Sequence, residues 1–133
     1  MKKVTLLLLS TIVFYSCLNN DEPSLAYEFL PITTTETPAS FTFGETDTIK
    51  IKYTLPNGCY SFENLYYEYQ DSTRVVAVTA LVQLDAACNQ ALVEEEYAFP
   101  VTASQREDYI FKFWKGEDSD GEDIFEEVII PVN

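Results

Sequence analysis

The feature that most constrains the fold of this chain is a series of short segments in which apolar and polar side chains alternate. The clearest segment, residues 48–55, places four apolar side chains on one face: Ile49, Ile51, Tyr53 and Leu55. The other face carries Lys50, Lys52 and Thr54. A period of two is typical of a β-strand with one buried and one solvated face. Since no segment of useful length has a helical period, the chain is predicted to be all-β.

Seven or eight short strands are predicted between residues 25 and 133. The clearest cover residues 27–32, 48–55, 60–69, 74–84, 94–101, 109–114 and 124–132. The Thr-rich segment 33–38 is expected to be a polar loop or an edge segment, and a bulge is expected near Glu63 and Asn64. Turn signals separate the strands, among them Pro56-Asn57-Gly58 and residues 70–73. This spacing is typical of a single antiparallel β-sandwich of immunoglobulin-like type.

The first 16 residues have the pattern of a secretory signal peptide. Lys2 and Lys3 precede an apolar run over residues 4–14, which is shorter than the roughly 20 residues of a membrane-spanning helix. Phe14-Tyr15-Ser16-Cys17 resembles a lipobox, so Cys17 is predicted to carry a lipid. The alternative is an ordinary cleaved signal with a stray thiol. The predicted organisation is a lipoprotein signal peptide (1–16), the lipidated cysteine with its tether (17–24) and the β-sandwich (25–133).

The residues after Cys17 indicate where in the cell envelope the protein is expected to be located. Asn19-Asn20-Asp21-Glu22 resembles the acidic export signal of surface lipoproteins in the Bacteroidota, although a plain hydrophilic tether would have a similar composition. The expected location is therefore the outer membrane, through the lipid anchor, on the cell surface. The periplasmic face of that membrane is the alternative.

The charge of the chain excludes several partners. Without Lys2 and Lys3, six basic and 22 acidic residues remain, a formal charge of −16. Such a surface repels phosphate backbones and anionic headgroups. Nucleic-acid binding is therefore not expected, and contact with a membrane is expected through the N-terminal lipid only.

Two further cysteines, Cys59 and Cys88, are predicted to form a disulfide in an oxidising compartment. If residues 70–73 form a hairpin turn, position 59 pairs with about position 84, and Cys88 lies just beyond that point. Closing this loop would add about 3 kcal/mol of stability.

The chain contains no histidine, which excludes Ser-His-Asp and Cys-His nucleophilic sites and His-ligated zinc. No glycine-rich phosphate loop is present. The acidic runs at 94–96 and 126–127 give no indication of two carboxylates facing each other across a cleft. The protein is therefore expected not to be an enzyme and to have no cofactor, with calcium as the one candidate ion.

Two sets of residues are candidates for binding. Tyr66 and Trp114 are the aromatic side chains expected to be exposed, and they could stack on sugar rings or contact a protein partner. Asp118, Asp120 and Glu122 form an oxygen-rich segment that would suit calcium. The competing interpretation of this segment is an acidic hairpin turn built on Asp120-Gly121.

Several segments together resemble small lipoproteins of the Bacteroidota, of the kind found in Flavobacteriia. They are residues 58–62, 74–78, 111–116 and 121–125. The resemblance implies an envelope-anchored β-sandwich and brings no activity or catalytic residue. The function expected is a non-catalytic binding or accessory module whose partner is an envelope or extracellular protein, met by a strand edge or a loop. The alternatives are a carbohydrate-binding surface lipoprotein and a calcium-stabilised adhesion module.

Overall fold

A computed structural model describes residues 22–133, which contain eight strands and no helix. The strands are β1 (Leu25–Leu30), β2 (Ile32–Glu36), β3 (Thr46–Leu55), β4 (Tyr60–Gln70), β5 (Thr73–Gln83), β6 (Val93–Thr102), β7 (Tyr109–Glu117) and β8 (Asp123–Ile130). The predicted signal peptide, Cys17 and the first part of the tether lie outside the described residues. Within the described part, no helix is long and apolar enough to span a bilayer.

The strands form two sheets. In the five-stranded sheet, β5 is central: β4 pairs along one side, while β1 and β7 pair with the two halves of the other side and β8 lies beyond β7. The second sheet has the order β2-β3-β6. These sheets confirm the predicted all-β sandwich with eight strands. One pair departs from the antiparallel pattern, because β7 runs parallel to β5 along residues 73–76.

The segment predicted as one strand over 27–32 is divided at Pro31. Leu30 ends β1 in the five-stranded sheet, and Ile32 begins β2 in the other sheet. Proline has no N–H to donate to a ladder and therefore suits a point where the chain leaves one sheet. The Thr-rich residues that follow are the edge strand β2 rather than a loop, and they pair with β3 alone.

The core lies between the sheets and is built from the inward side of each alternating strand. Its largest fully buried side chains are aromatic or β-branched: Phe41, Tyr109, Phe111, Phe113, Ile32, Ile49, Ile51 and Ile130. The ring of Phe111 lies 5.7 Å from that of Phe113 and 6.4 Å from that of Phe41. Each such side chain contributes about 1.5–3 kcal/mol through the burial of its apolar surface.

A polar contact joins the two sheets at one edge. The Thr35 hydroxyl of β2 donates to Oε1 of Glu126 on β8 at 2.7 Å. The Lys115 ammonium lies 3.2 Å from Oε2 of the same carboxylate and donates to the carbonyl of Thr33. These contacts, the Thr35 hydrogen bond first, hold the pKa of Glu126 below its usual range.

The structure contains the predicted disulfide between Cys59 and Cys88, whose Cα atoms are 5.3 Å apart. The Cys59 carbonyl accepts a hydrogen bond from the Gln83 N–H, so the register is close to the predicted one. The predicted bulge is present as a register shift between Phe62 and Asn64. The disulfide therefore joins the start of β4 to the irregular segment that follows β5.

Candidate functional site

The two outer faces of the sandwich differ in chemistry. The outer face of the β2-β3-β6 sheet is polar and carries, among others, Thr34, Glu36, Lys50, Lys52, Glu94 and Glu96. The outer face of the five-stranded sheet is apolar over much of its area. We call it the apolar face and define it by Leu25, Tyr27, Phe29, Tyr66, Trp114, Phe125 and Ile129. All of these except Trp114 are exposed, and Trp114 is half-buried.

Exposed apolar residues scattered singly are normal on a protein surface, whereas a contiguous patch on one face indicates a binding surface. Strand register explains why the patch is contiguous. Trp114 of β7 pairs directly with Phe125 of β8, and Tyr66 of β4 pairs with Ala77 of β5. Because side chains on one face recur every second residue, β1 adds Tyr27 and Phe29 to the same side.

A groove with a volume of about 630 Å³ crosses the middle of the apolar face. The Phe29 ring stands between the two predicted aromatic residues, with centroids 5.6 Å from Tyr66 and 5.9 Å from Trp114. The remaining lining residues are Glu68, Gln70, Val75, Ala77, Lys112, Glu117, Asp123 and Phe125. The groove therefore offers aromatic rings together with carboxylate, amide and ammonium groups.

Hydrogen bonds fix the polar ends of both rings. The Trp114 indole N–H donates to Oδ1 of Asp123 at 2.8 Å, and the Tyr66 hydroxyl donates to Oε2 of Glu68 at 2.6 Å. The second bond raises the pKa of Tyr66 and lowers that of Glu68. The amide of Gln70 donates to the other oxygen of Glu68 at 3.1 Å. These hydrogen bonds restrict the orientations of both rings within the groove.

The sequence identified Tyr66 and Trp114, and the structure brings them into one groove. The sequence analysis did not identify Phe29 or Phe125, which complete the patch. The sequence does show that Phe29 alternates with Leu30 and Phe125 with Glu126. It does not show the sheet order that places β1 and β8 around this groove. Tyr69, which alternation places on the same side of β4 as Leu65 and Tyr67, is 71% exposed.

The residues suggested for calcium lie in the hairpin between β7 and β8. The Asp118 carboxylate accepts hydrogen bonds from the backbone N–H groups of Asp120 at 2.8 Å and Glu122 at 3.0 Å. The segment is a hairpin turn, but it is not centred on Asp120-Gly121: the Gly121 N–H donates to the Asp118 carbonyl at 3.1 Å, so Ser119 and Asp120 are the central residues. Gly121 follows them with a φ of +78°, as in hairpin loops that combine a type I turn with a left-handed glycine. Within residues 22–133, no group of three or more acidic or cysteine side chains is arranged to hold a metal ion. The structure therefore does not bring Asp118, Asp120 and Glu122 together as ligands.

The two sheets define an all-β sandwich domain, and the apolar face is the outer face of its five-stranded sheet. A family model, the ORF11 beta-sandwich domain, matches residues 49–125. The chain belongs to this family. The matched region runs from within β3 to the start of β8, and it includes the disulfide, Tyr66 and Trp114 but neither β1 nor β2. Comparisons with curated proteins and with solved structures gave no match.

Proposed function

We propose that this protein is a lipid-anchored, non-catalytic binding module of the bacterial cell envelope, and that it holds a protein partner on its apolar face. The observation that carries the proposal is the apolar face itself, a contiguous aromatic and aliphatic surface opposite a polar one. Cys17 is the proposed anchor, and the outer membrane, with the domain at the cell surface, is the proposed location. The absence of histidine from the sequence supports a non-catalytic role.

The make-up of the face favours a protein over a small ligand. Leu25 and Tyr27 extend the patch along β1, beyond the residues that line the groove. On β8, Ile129 adds a further exposed apolar side chain, separated from Phe125 by Glu127. Interface centres are enriched in aromatic residues and depleted of charges, whereas charged groups lie at their rims. Here Glu68, Glu117 and Asp123 line the groove beside a single lysine, Lys112. A partner with an apolar surface and basic groups that reach these groove carboxylates is therefore the best match, and contact through a sheet face replaces the edge or loop contact expected from the sequence.

Site-directed photo-crosslinking in intact cells tests the partner. We expect a crosslinking amino acid placed at Tyr27, or at Ile129, to capture the same protein, identified by mass spectrometry. The matched control positions are Thr48 and Lys50, which are exposed on the polar face. The shared adduct should fall at least tenfold when Trp114→Ala is introduced, because Trp114 lies at the centre of the face. Equal capture from the polar face, or none from the apolar face, would contradict the proposal.

A carbohydrate partner is the second candidate, and one observation favours it. Tyr66 and Trp114 line the same groove, with Glu68 and Gln70 beside them, and rings flanked by carboxylate and amide groups can stack on sugars and bind their hydroxyls. Glycan-array binding that is lost in Trp114→Ala, without any protein adduct at Tyr27, would identify the ligand as a glycan.

The proposed anchor leads to a separate prediction. The protein should partition into the membrane fraction and carry acyl chains on residue 17, and Cys17→Ser should release it to the soluble fraction. A single cysteine that bears a diacylglyceryl group buries enough CH₂ groups for stable attachment, at about 0.8 kcal/mol each. Intact-mass measurement of both forms is the check. If the mass of the native protein includes no acyl chains, Cys17 is not a lipid anchor. The proposal for the apolar face does not depend on this result.

A further inference from the structure

A second site lies at the end of the sandwich where the β4–β5 hairpin turns, and it is built around Arg74. This side chain is 5% exposed, and it is the buried charged residue of the described chain. Its guanidinium lies 4.4 Å from the centroid of the Tyr69 ring and 5.0 Å from that of Tyr109. Two aromatic rings thus contact the cation, and each offers it a cation–π attraction.

The hydrogen-bond partners of Arg74 are all neutral. One terminal nitrogen donates to the carbonyls of Asp71 at 2.6 Å and Thr73 at 3.0 Å, and the other donates to the amide oxygen of Gln105 at 2.9 Å. Asp71 has a φ of +54°, and its backbone rather than its carboxylate meets the cation. The buried Nε–H of Arg74 has no hydrogen-bond partner among the described residues.

This arrangement is unusual for a buried charge. Arginine is almost never fully buried unless it is paired, and a buried charge without a counter-charge is costly. The whole sequence holds 22 aspartates and glutamates. Within residues 22–133, however, none of these carboxylates lies within 4.0 Å of the Arg74 guanidinium. Among the described residues, the positive charge of Arg74 therefore has no ion-pair partner.

Arg74 lines a cavity of about 480 Å³ between the two sheets. The other lining side chains are mostly apolar or aromatic, among them Leu65, Tyr67, Tyr69, Phe99, Val101 and Tyr109. Burial, partly offset by the nearby Arg74, raises the pKa of Tyr67 to about 12. The Tyr67 hydroxyl thus remains protonated at neutral pH and can donate a hydrogen bond.

We propose that this cavity binds a small organic carboxylate, whose negative charge pairs with Arg74 and whose apolar body lies against Leu65, Phe99 and Val101. The Nε–H and the adjacent terminal N–H of a guanidinium form a fork that matches the two oxygens of a carboxylate. The exposed Tyr69 ring lies over the guanidinium and covers the cation. In the proposed complex, this ring turns aside when the carboxylate binds. The site is separate from the apolar face and does not depend on the partner proposed for that face.

Phenylacetate and its neutral analogue phenylacetamide are the probes, because they differ in charge and hardly in shape. We expect phenylacetate to bind the full chain at least tenfold more tightly by calorimetric titration, and Arg74→Gln to abolish this preference. Arg106→Gln is the matched control, since Arg106 is the other arginine of the sequence and its guanidinium lies on the surface, 4.2 Å from the Phe43 ring centroid.

A second measurement is independent of whether Arg74→Gln folds. The chain has two arginines, so their side-chain Nε–H signals can be assigned in an NMR spectrum of the unmodified protein. Phenylacetate should shift the Arg74 signal and leave that of Arg106 in place, and phenylacetamide should shift neither. Equal binding of the two compounds, or a phenylacetate effect confined to Arg106, would overturn the proposed site.

Discussion

Phe111→Ala is expected to lower the free energy of unfolding by about 3–5 kcal/mol, the usual cost of truncating a buried phenylalanine. Phe111 is fully buried, and its ring lies within about 6.5 Å of those of Phe41, Tyr109 and Phe113. Tyr109 and Phe113 stand on the same strand as Phe111, so the backbone of β7 limits how far their rings can move into the space that is left. Since domains of this size are typically stable by only about 5–15 kcal/mol, the variant should be close to unfolding at 37 °C.

Denaturant titration followed by tryptophan fluorescence measures this loss, because Trp114 is the single tryptophan of the sequence. Phe125→Ala is the matched control. Phe125 is also a strand phenylalanine but lies 39% exposed on the apolar face, so its truncation should cost less than about 1 kcal/mol. If Phe125→Ala proved as destabilising as Phe111→Ala, the assignment of an inner and an outer face to the five-stranded sheet would be wrong.

Removal of the disulfide by the double substitution Cys59→Ser and Cys88→Ser is the second large effect. The bridge closes a loop with a sequence separation of 29 residues. The chain-entropy model gives such a loop about 3–4 kcal/mol. For a domain of this size the loss corresponds to a decrease in Tm of about 10 °C or more.

Thermal melts with and without a reductant provide the check. A reductant should lower the Tm of the unmodified protein by about as much as the double substitution does, and it should have no further effect on the substituted chain. Full alkylation of both sulfurs in the untreated native protein, or a Tm that does not respond to the reductant, would contradict the bridge.

The predictions that succeeded rest on local patterns. Alternation located most of the strands, and counting back from the hairpin turn at 70–73 placed Cys59 near position 84, where the structure pairs its carbonyl with the N–H of Gln83. Both inferences hold because side-chain period and hairpin register are set by the backbone over a few residues.

The features that the sequence did not reveal depend on contacts between distant segments. No local pattern shows that β7 pairs in parallel with β5, or that Phe29 of β1 comes to lie beside Trp114 of β7. Arg74 was passed over for a similar reason. It precedes a β-branched run, and its own burial beneath Tyr69 and Tyr109 comes only from the tertiary fold.

The way in which β1 joins the body of the domain has a mechanical consequence. The carbonyl of Ser24 accepts a hydrogen bond from Leu84, and from there the six residues of β1 pair one by one with β5. A force that reaches Ser24 along the axis of β1 would load the six β1–β5 pairs in shear, so that they resist it together. A force directed across the strand would instead separate these pairs one after another, starting from Leu25. The mechanical resistance of this attachment therefore depends on the direction of the force.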